Sequence, residues 1–154
     1  MTLHLIANDI RSAENIGSLF RTADSLGVAK LWITGISPTP EHAKVAKTAL
    51  GAQEHTAWEQ QIDVVVVING LRADGFRIVG LEIDERAVNI ATYQPHAKTA
   101  LLLGNEVAGI PPSLIALCDD VVFMTQKGIK ESMNVGVAAG IASYWLLHSG
   151  ERSS

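Results

Sequence analysis

Five short segments, LHLIA (3–7), KLWIT (30–34), FRIVGL (76–81), TALLL (99–103) and DVVFM (120–124), are apolar and partly β-branched along most of their length. Such runs suit a parallel sheet covered on both faces, whereas a half-solvated antiparallel strand would alternate. Between the first two lies NIGSLFRTADSLG (15–27), in which Ile16, Leu19, Phe20, Ala23 and Leu26 recur at helical spacing and Gly27 supplies a C-terminal stop. The opening unit is thus strand, helix, strand. EHAKVAKTAL (41–50), PSLIALC (112–118, with Pro112 near the first turn) and residues 134–148 read as further helices. In the last of these, Val135, Ala138, Ala139, Ala142, Trp145 and Leu146 share one side. QQIDVVVVINGLRADG (60–75) is ambiguous: its valines favour a strand, but its place between two strands wants a crossover helix, and we prefer the helix. The expected class is α/β, a parallel sheet with helices on both faces. Ligands of such sheets bind beyond the carboxyl ends of the strands, so the loops there are where chemistry is sought.

At 154 residues the expected organisation is one domain over 1–150 and a short tail, 151–154. No uninterrupted apolar run exceeds the five residues of VVVVI (64–68), against about 18 for a bilayer-spanning helix. The opening MTLHLIANDIRSAEN has no basic start and reaches polar residues too early for a signal peptide. Cys118 stands alone and the five histidines have no metal-ligand spacing, so neither a disulfide nor a metal is expected, and the expected location is cytoplasmic. A net charge of -4 speaks against a polyanionic partner, but the acid is concentrated in residues 53–123, and a polyanion can still dock on a face built from the two ends. An ordinary solvated acidic surface explains the middle third equally well.

Three loops after apolar strands carry groups that packing does not require. In NDIRSAENIGSLFR (8–21), Asn15 reads as a helix N-cap, Gly17 as a close-packing position, and Arg21 as a surface side chain or a partner of Asp24. Alternatively, helix N-terminal amides with an arginine one to two turns later make an anion site. LLLGNEVAGIPP (101–112) has the outer glycine spacing of a P-loop at Gly104 and Gly109, but Ile110 and Pro111 stand where Lys and Ser or Thr are required, so nucleoside triphosphate hydrolysis is not expected. Neither a dinucleotide fingerprint nor a nucleophile elbow occurs anywhere. What remains is a glycine turn able to approach a flat ligand, beside Glu106. In MTQKGIKESMNV (124–135), Ser132 or Asn134 caps the final helix, which leaves the other for ligand or substrate.

In this order, NIGSLFRTADSLG, LLLGNEVAGI and KESMNVGVAAGI resemble the three motifs of the SpoU/TrmH family of RNA ribose methyltransferases, within the SPOUT superfamily. The likeness runs from about Leu3 to His148, and PEHAKVAKTALGA (40–52) also resembles small single-domain members. The resemblance implies a C-terminal trefoil knot, S-adenosylmethionine held in it, and a homodimer. It implies that Leu81, Gly104, Met124 and Met133 line the methyl-donor pocket and that Asn15, Arg21, Glu106, Ser132 and Asn134 are the functional polar residues. The implied substrate is structured RNA, transfer RNA before ribosomal RNA, because only RNA presents a ribose 2′-hydroxyl. Arg11, Arg21, Lys44, Lys47, Lys127 and Lys130 are the expected phosphate contacts, and Trp145 on the final helix is a candidate dimer contact with core packing as its equal alternative. One departure is that Met124-Thr125-Gln126 stands where the family commonly has Ile-Pro-Met.

A guanidinium keeps its proton far above neutral pH, so we read Arg21 as stabilising a developing alkoxide or clamping a phosphate rather than as a literal base. Asn15 and Asn134 would orient it or the ribose, Ser132 would bind substrate or shape the donor loop, and Glu106 would fix its loop or hold Arg21. Two rival readings are a non-catalytic RNA- or nucleotide-binding module and a flavodoxin-like receiver. The receiver reading lacks an acidic cluster after the first strand, where only Asp9 stands.

Overall fold

The computed structural model describes residues 1–130 and 132–152. Seven parallel strands form one sheet: β1 (Thr2–Asn8), β2 (Lys30–Thr34), β3 (Trp58–Gln60), β4 (Arg77–Leu81), β5 (Val88–Asn89), β6 (Lys98–Leu103) and β7 (Asp120–Phe123). Their order is β3-β2-β1-β6-β4-β7-β5, so β6 inserts between β1 and β4, and β7 between β4 and β5. All five expected strands are present. β3 and β5 are additional; each is a sheet edge too short to carry an apolar pattern.

One face is covered by α1 (Ala13–Leu26), α2 (Ala43–Ala49) and α5 (Val135–Leu147), whose buried Ile16, Phe20, Val45 and Ala139 pack with Leu5, Leu31 and Leu101 of the sheet. The other is covered by α3 (Val64–Ala73) and α4 (Pro112–Ile115), around Ile68, Ile78, Leu102 and Ile115. The ambiguous segment resolves into β3 and then α3. Asp63 caps α3 by accepting from the Val65 amide, and Val64, Val67, Ile68 and Leu71 bury one helical stripe, which overrides the strand preference of the valines. Gly27 ends α1 in the left-handed conformation (φ 75°) as expected. The N-cap of α1 is Ser12, whose Oγ accepts from the Asn15 amide, so Asn15 is not the cap and lies inside the first turn. Asn134 caps α5 by accepting from Gly136 and Val137. α4 is shorter than expected, and part of the tail forms α6 (Ser149–Arg152), while residues 153–154 lie outside the described residues.

Much of the acid in the middle third works inside the molecule. Asp120 accepts two hydrogen bonds from Arg77 (2.7 and 3.0 Å) and one from the Tyr93 hydroxyl (2.7 Å), which ties the start of β7 to β4 and to the strap before β6. The Arg77 guanidinium holds the Asp120 carboxyl below the usual range, against the opposing effect of burial. Asp119 accepts from the Ile78 amide (2.8 Å) and from Arg72.

Candidate active site

Beyond the carboxyl ends of β4, β6 and β7 lies a cleft of about 850 Å³, counting its open mouth. Leu81, Leu103 and Phe123, the last residues of the three strands, form the apolar floor together with Met124, Met133 and Val135, while Glu82, Gln126 and Ser132 supply polar edges. All four residues expected to line a donor pocket, Leu81, Gly104, Met124 and Met133, border it, as do Glu106 and Ser132. Gly104 is required by space. A Cβ there would stand 2.4 Å from the Gly109 carbonyl carbon and 2.5 Å from the Ile110 nitrogen, both main-chain atoms that cannot swing aside. Gly109 (φ 70°) abuts Glu82, whose carboxylate accepts from the amides of Ile83 and Ile110, both at 2.9 Å. The turn between the glycines is closed by a reciprocal pair of hydrogen bonds between Asn105 and Gly109 and by the Asn105 side chain, which donates to the Asp9 carbonyl at 2.7 Å.

Glu106 locks this turn to the start of α1. Its carboxylate accepts from the amides of Arg11 (2.9 Å) and Ser12 (2.8 Å) and from the Asn15 side chain (3.0 Å). Asn15 Oδ1 in turn accepts from Asn134 Nδ2 at 3.2 Å. A continuous chain of side chains therefore joins the second loop, the N-terminus of α1 and the N-terminus of α5. Burial works to raise the Glu106 pKa, but the three donors outweigh it and hold the carboxyl below its ordinary range. A carboxylate beside the N-terminus of α1 also meets the positive end of the helix dipole. Each asparagine amide has two N–H groups, so one on Asn15 and one on Asn134 remain beyond this chain.

Residues 2–144 match the model of the SpoU rRNA Methylase family. The chain belongs to that family. Among similar proteins, the 23S rRNA (guanosine-2'-O-)-methyltransferase RlmB of Acinetobacter baylyi is 31% identical over 146 residues, covering 92% of this chain and 58% of that protein. The tRNA (guanosine(18)-2'-O)-methyltransferase of Borreliella burgdorferi is 24% identical over 152 residues, 99% of this chain and 69% of that protein. The structure of the SpoU methyltransferase AviRb from Streptomyces viridochromogenes in complex with the cofactor AdoMet has a TM-score of 0.86 at 26% identity, over 98% of this chain and 61% of that one. The chain thus spans little more than half the length of RlmB.

Within this SpoU chain the three motifs do not all meet at one point. Asn15, Glu106 and Asn134 are linked and Ser132 is at the cleft, but Arg21 borders a separate hollow between α1 and α5, with Ser18, Gly140, Ile141 and Tyr144. Six residues past Asn15, it stands roughly 9 Å further along the helix. Glu106 does not hold Arg21, because its acceptor oxygens face Arg11, Ser12 and Asn15 instead. Arg11, Arg21, Lys44, Lys47, Lys127 and Lys130 are all exposed and form no ion pair among the described residues. Sequence reasoning missed Ser12 and Glu82, whereas Gln126, part of the Met124-Thr125-Gln126 departure, does border the cleft. Ser12 stands three residues before Asn15, a capping spacing that could have revealed it, and Glu82 is the first polar residue after an apolar strand. Glu131, within the third motif, lies outside the described residues.

Proposed function

We propose that this chain transfers a methyl group from S-adenosylmethionine to a ribose 2′-hydroxyl of structured RNA, with transfer RNA favoured over ribosomal RNA. The observation that carries the reading is the cleft itself. An apolar floor for a flat ring, backbone brought close by Gly104 and Gly109, and polar edges at Glu82, Gln126 and Ser132 fit a nucleoside bearing a cationic side arm. The membership in the SpoU family and the cofactor named for AviRb support the donor; the RlmB and tRNA methyltransferase names support RNA and the 2′-oxygen.

When bound, the donor supplies an electrophilic methyl carbon on a sulfonium. The ribose oxygen would form the new bond to that carbon as the carbon–sulfur bond breaks, the bonding pair going to sulfur and the hydroxyl proton to solvent water. Positioning is the main contribution of the protein. Leu81, Gly104, Met124 and Met133 form the donor walls, and Glu106, Asn15 and Asn134 hold those walls to the helix ends. The free amide hydrogens of Asn15 and Asn134 and the hydroxyl of Ser132 orient the ribose. Arg21 stabilises the oxygen as it gains negative charge, or clamps the adjoining phosphate.

Because Arg21 borders the hollow between α1 and α5, we assign it to the cleft of a second copy packed on that face, where Ile141 and Tyr144 are exposed. The homodimer is therefore part of the function. The trefoil knot belongs to the same proposal, supported by the insertion of β6 and β7 between earlier strands and by the main-chain contact at Gly104. The buried free thiol of Cys118 suits a reducing compartment such as the cytoplasm. Arg21→Ala tests the assignment: it should abolish methyl transfer while binding S-adenosylhomocysteine as the parent does. Near-normal turnover would overturn the role of Arg21.

A further inference from the structure

The walls of the cleft are not equally fixed. Glu82 and the 104–109 turn are each held by several hydrogen bonds, and Val135 and Ala138 belong to α5. The segment running from Thr125 to Met133 also lends Gln126, Ser132 and Met133 to the cleft, yet among its described residues a single hydrogen bond holds it, from Asn89 Nδ2 to Thr125 Oγ1 at 3.0 Å. Asn89 is itself firmly placed. Its main chain pairs with Phe123 in the sheet, its Oδ1 accepts from the Ala91 amide at 2.9 Å, and its carbonyl accepts from the Thr92 hydroxyl at 3.1 Å. A fixed donor on the edge strand thus meets the sparsely bonded side of the site at the residue between two cleft-lining side chains, Met124 and Gln126.

We propose that Asn89 is a positioning residue for the methyl donor, acting through Thr125 to hold Met124 and Gln126 against the bound ligand. The inference rests on the cleft being the donor site. Asn89 makes no contact of its own with the cleft, so its effect falls on donor affinity rather than on the methyl-transfer step. Without the tether, the binding free energy must also fix Met124 and Gln126 in place, and affinity drops.

Calorimetric titration with S-adenosylhomocysteine tests this in the full chain. Thr125→Val deletes the acceptor at an exposed position with little change of shape, and should raise Kd about fivefold, near 1 kcal/mol, while lowering the melting temperature by no more than the few degrees one hydrogen bond accounts for. Thr125→Ser keeps the hydroxyl and should restore affinity. Asn89→Ala should weaken binding at least as much, since it also removes the cap on Ala91, and adding Thr125→Val to it should cost nothing further. In turnover, Thr125→Val should raise KM for the donor and leave kcat in place. Parental affinity in Thr125→Val, or losses that multiply in the double variant, would overturn the proposal. A parent protein that binds no S-adenosylhomocysteine would instead overturn the donor site, and this inference with it.

Discussion

Replacing Gly104 by alanine probes the point where two stretches of main chain pass closest beside the cleft. The added Cβ would meet the Gly109 carbonyl carbon at 2.4 Å, the Ile110 nitrogen at 2.5 Å and the Gly109 oxygen at 2.6 Å. Ordinary overpacking costs about 1–3 kcal/mol when side chains can shift. Here the obstructing atoms are backbone, so relief requires parting β6 from residues 109–110, at the expense of the two Asn105–Gly109 hydrogen bonds, each worth ~1 kcal/mol net. A loss of about 3–5 kcal/mol follows, or roughly 6–20 °C in melting temperature for a chain of this size. The comparison is Gly70→Ala, inside α3, where a Cβ meets nothing within 4 Å. That change should stabilise by ~0.5–1 kcal/mol through helix propensity alone. Thermal unfolding of the two variants beside the parent reads both signs. Equal melting temperatures for Gly104→Ala and the parent would refute the steric argument and the close passage it rests on.

Stability should fall with acid along a calculable course. Glu106 and Asp120 both have folded pKa values below their unfolded ones, so each contributes fully only above about pH 5 and loses its contribution as pH drops through its unfolded and then its folded value. Urea midpoints from pH 7 to pH 3 should show this decline, and Glu106→Gln should lower the neutral plateau while flattening the acid slope; a parallel downward shift at every pH would contradict the assignment. Asn134→Ala removes the cap of α5 and its link to Asn15, and should cost ~1 kcal/mol in chemical denaturation. Burial pushes the Cys118 thiol up to about 11, so at pH 8 a thiol reagent should label it only at the rate of unfolding, and rapid labelling of folded protein would show the side of α4 to be open.

The apolar strands and the main helices were legible because each buries an uninterrupted run or a regular stripe. The valine-rich α3 was legible only from its place between two strands, because its valines read equally well as a strand; the buried stripe of Val64, Val67, Ile68 and Leu71 and the Asp63 cap are what the structure adds. β3 and β5 were not legible, since Trp58-Glu59-Gln60 and Val88-Asn89 owe their pairing to the neighbouring edge and not to hydrophobicity. Strand order is set by long-range contacts that no local pattern records. At the site, most of the expected residues come together at the cleft or in the chain of hydrogen bonds beside it, but their partners were not legible. Glu106 suggested a partner for Arg21, yet three nearer donors at the start of α1 satisfy it, and Arg21 is carried onto a different surface by six residues of helix. Asn89 gave no signal, because its importance arises only where the edge strand passes Thr125.

Methyl transfer itself is the most direct measurement. The protein is incubated with methyl-labelled S-adenosylmethionine and, in separate reactions, bulk unmodified transfer RNA or ribosomal RNA, and the RNA is then hydrolysed with alkali, which cleaves only where a free 2′-hydroxyl is present. Label recovered in alkali-resistant dinucleotides, and lost with Arg21→Ala, is the expected result. Label confined to mononucleotides would place the methyl group on a base, and no incorporation into either transfer or ribosomal RNA would contradict the methyltransferase reading outright.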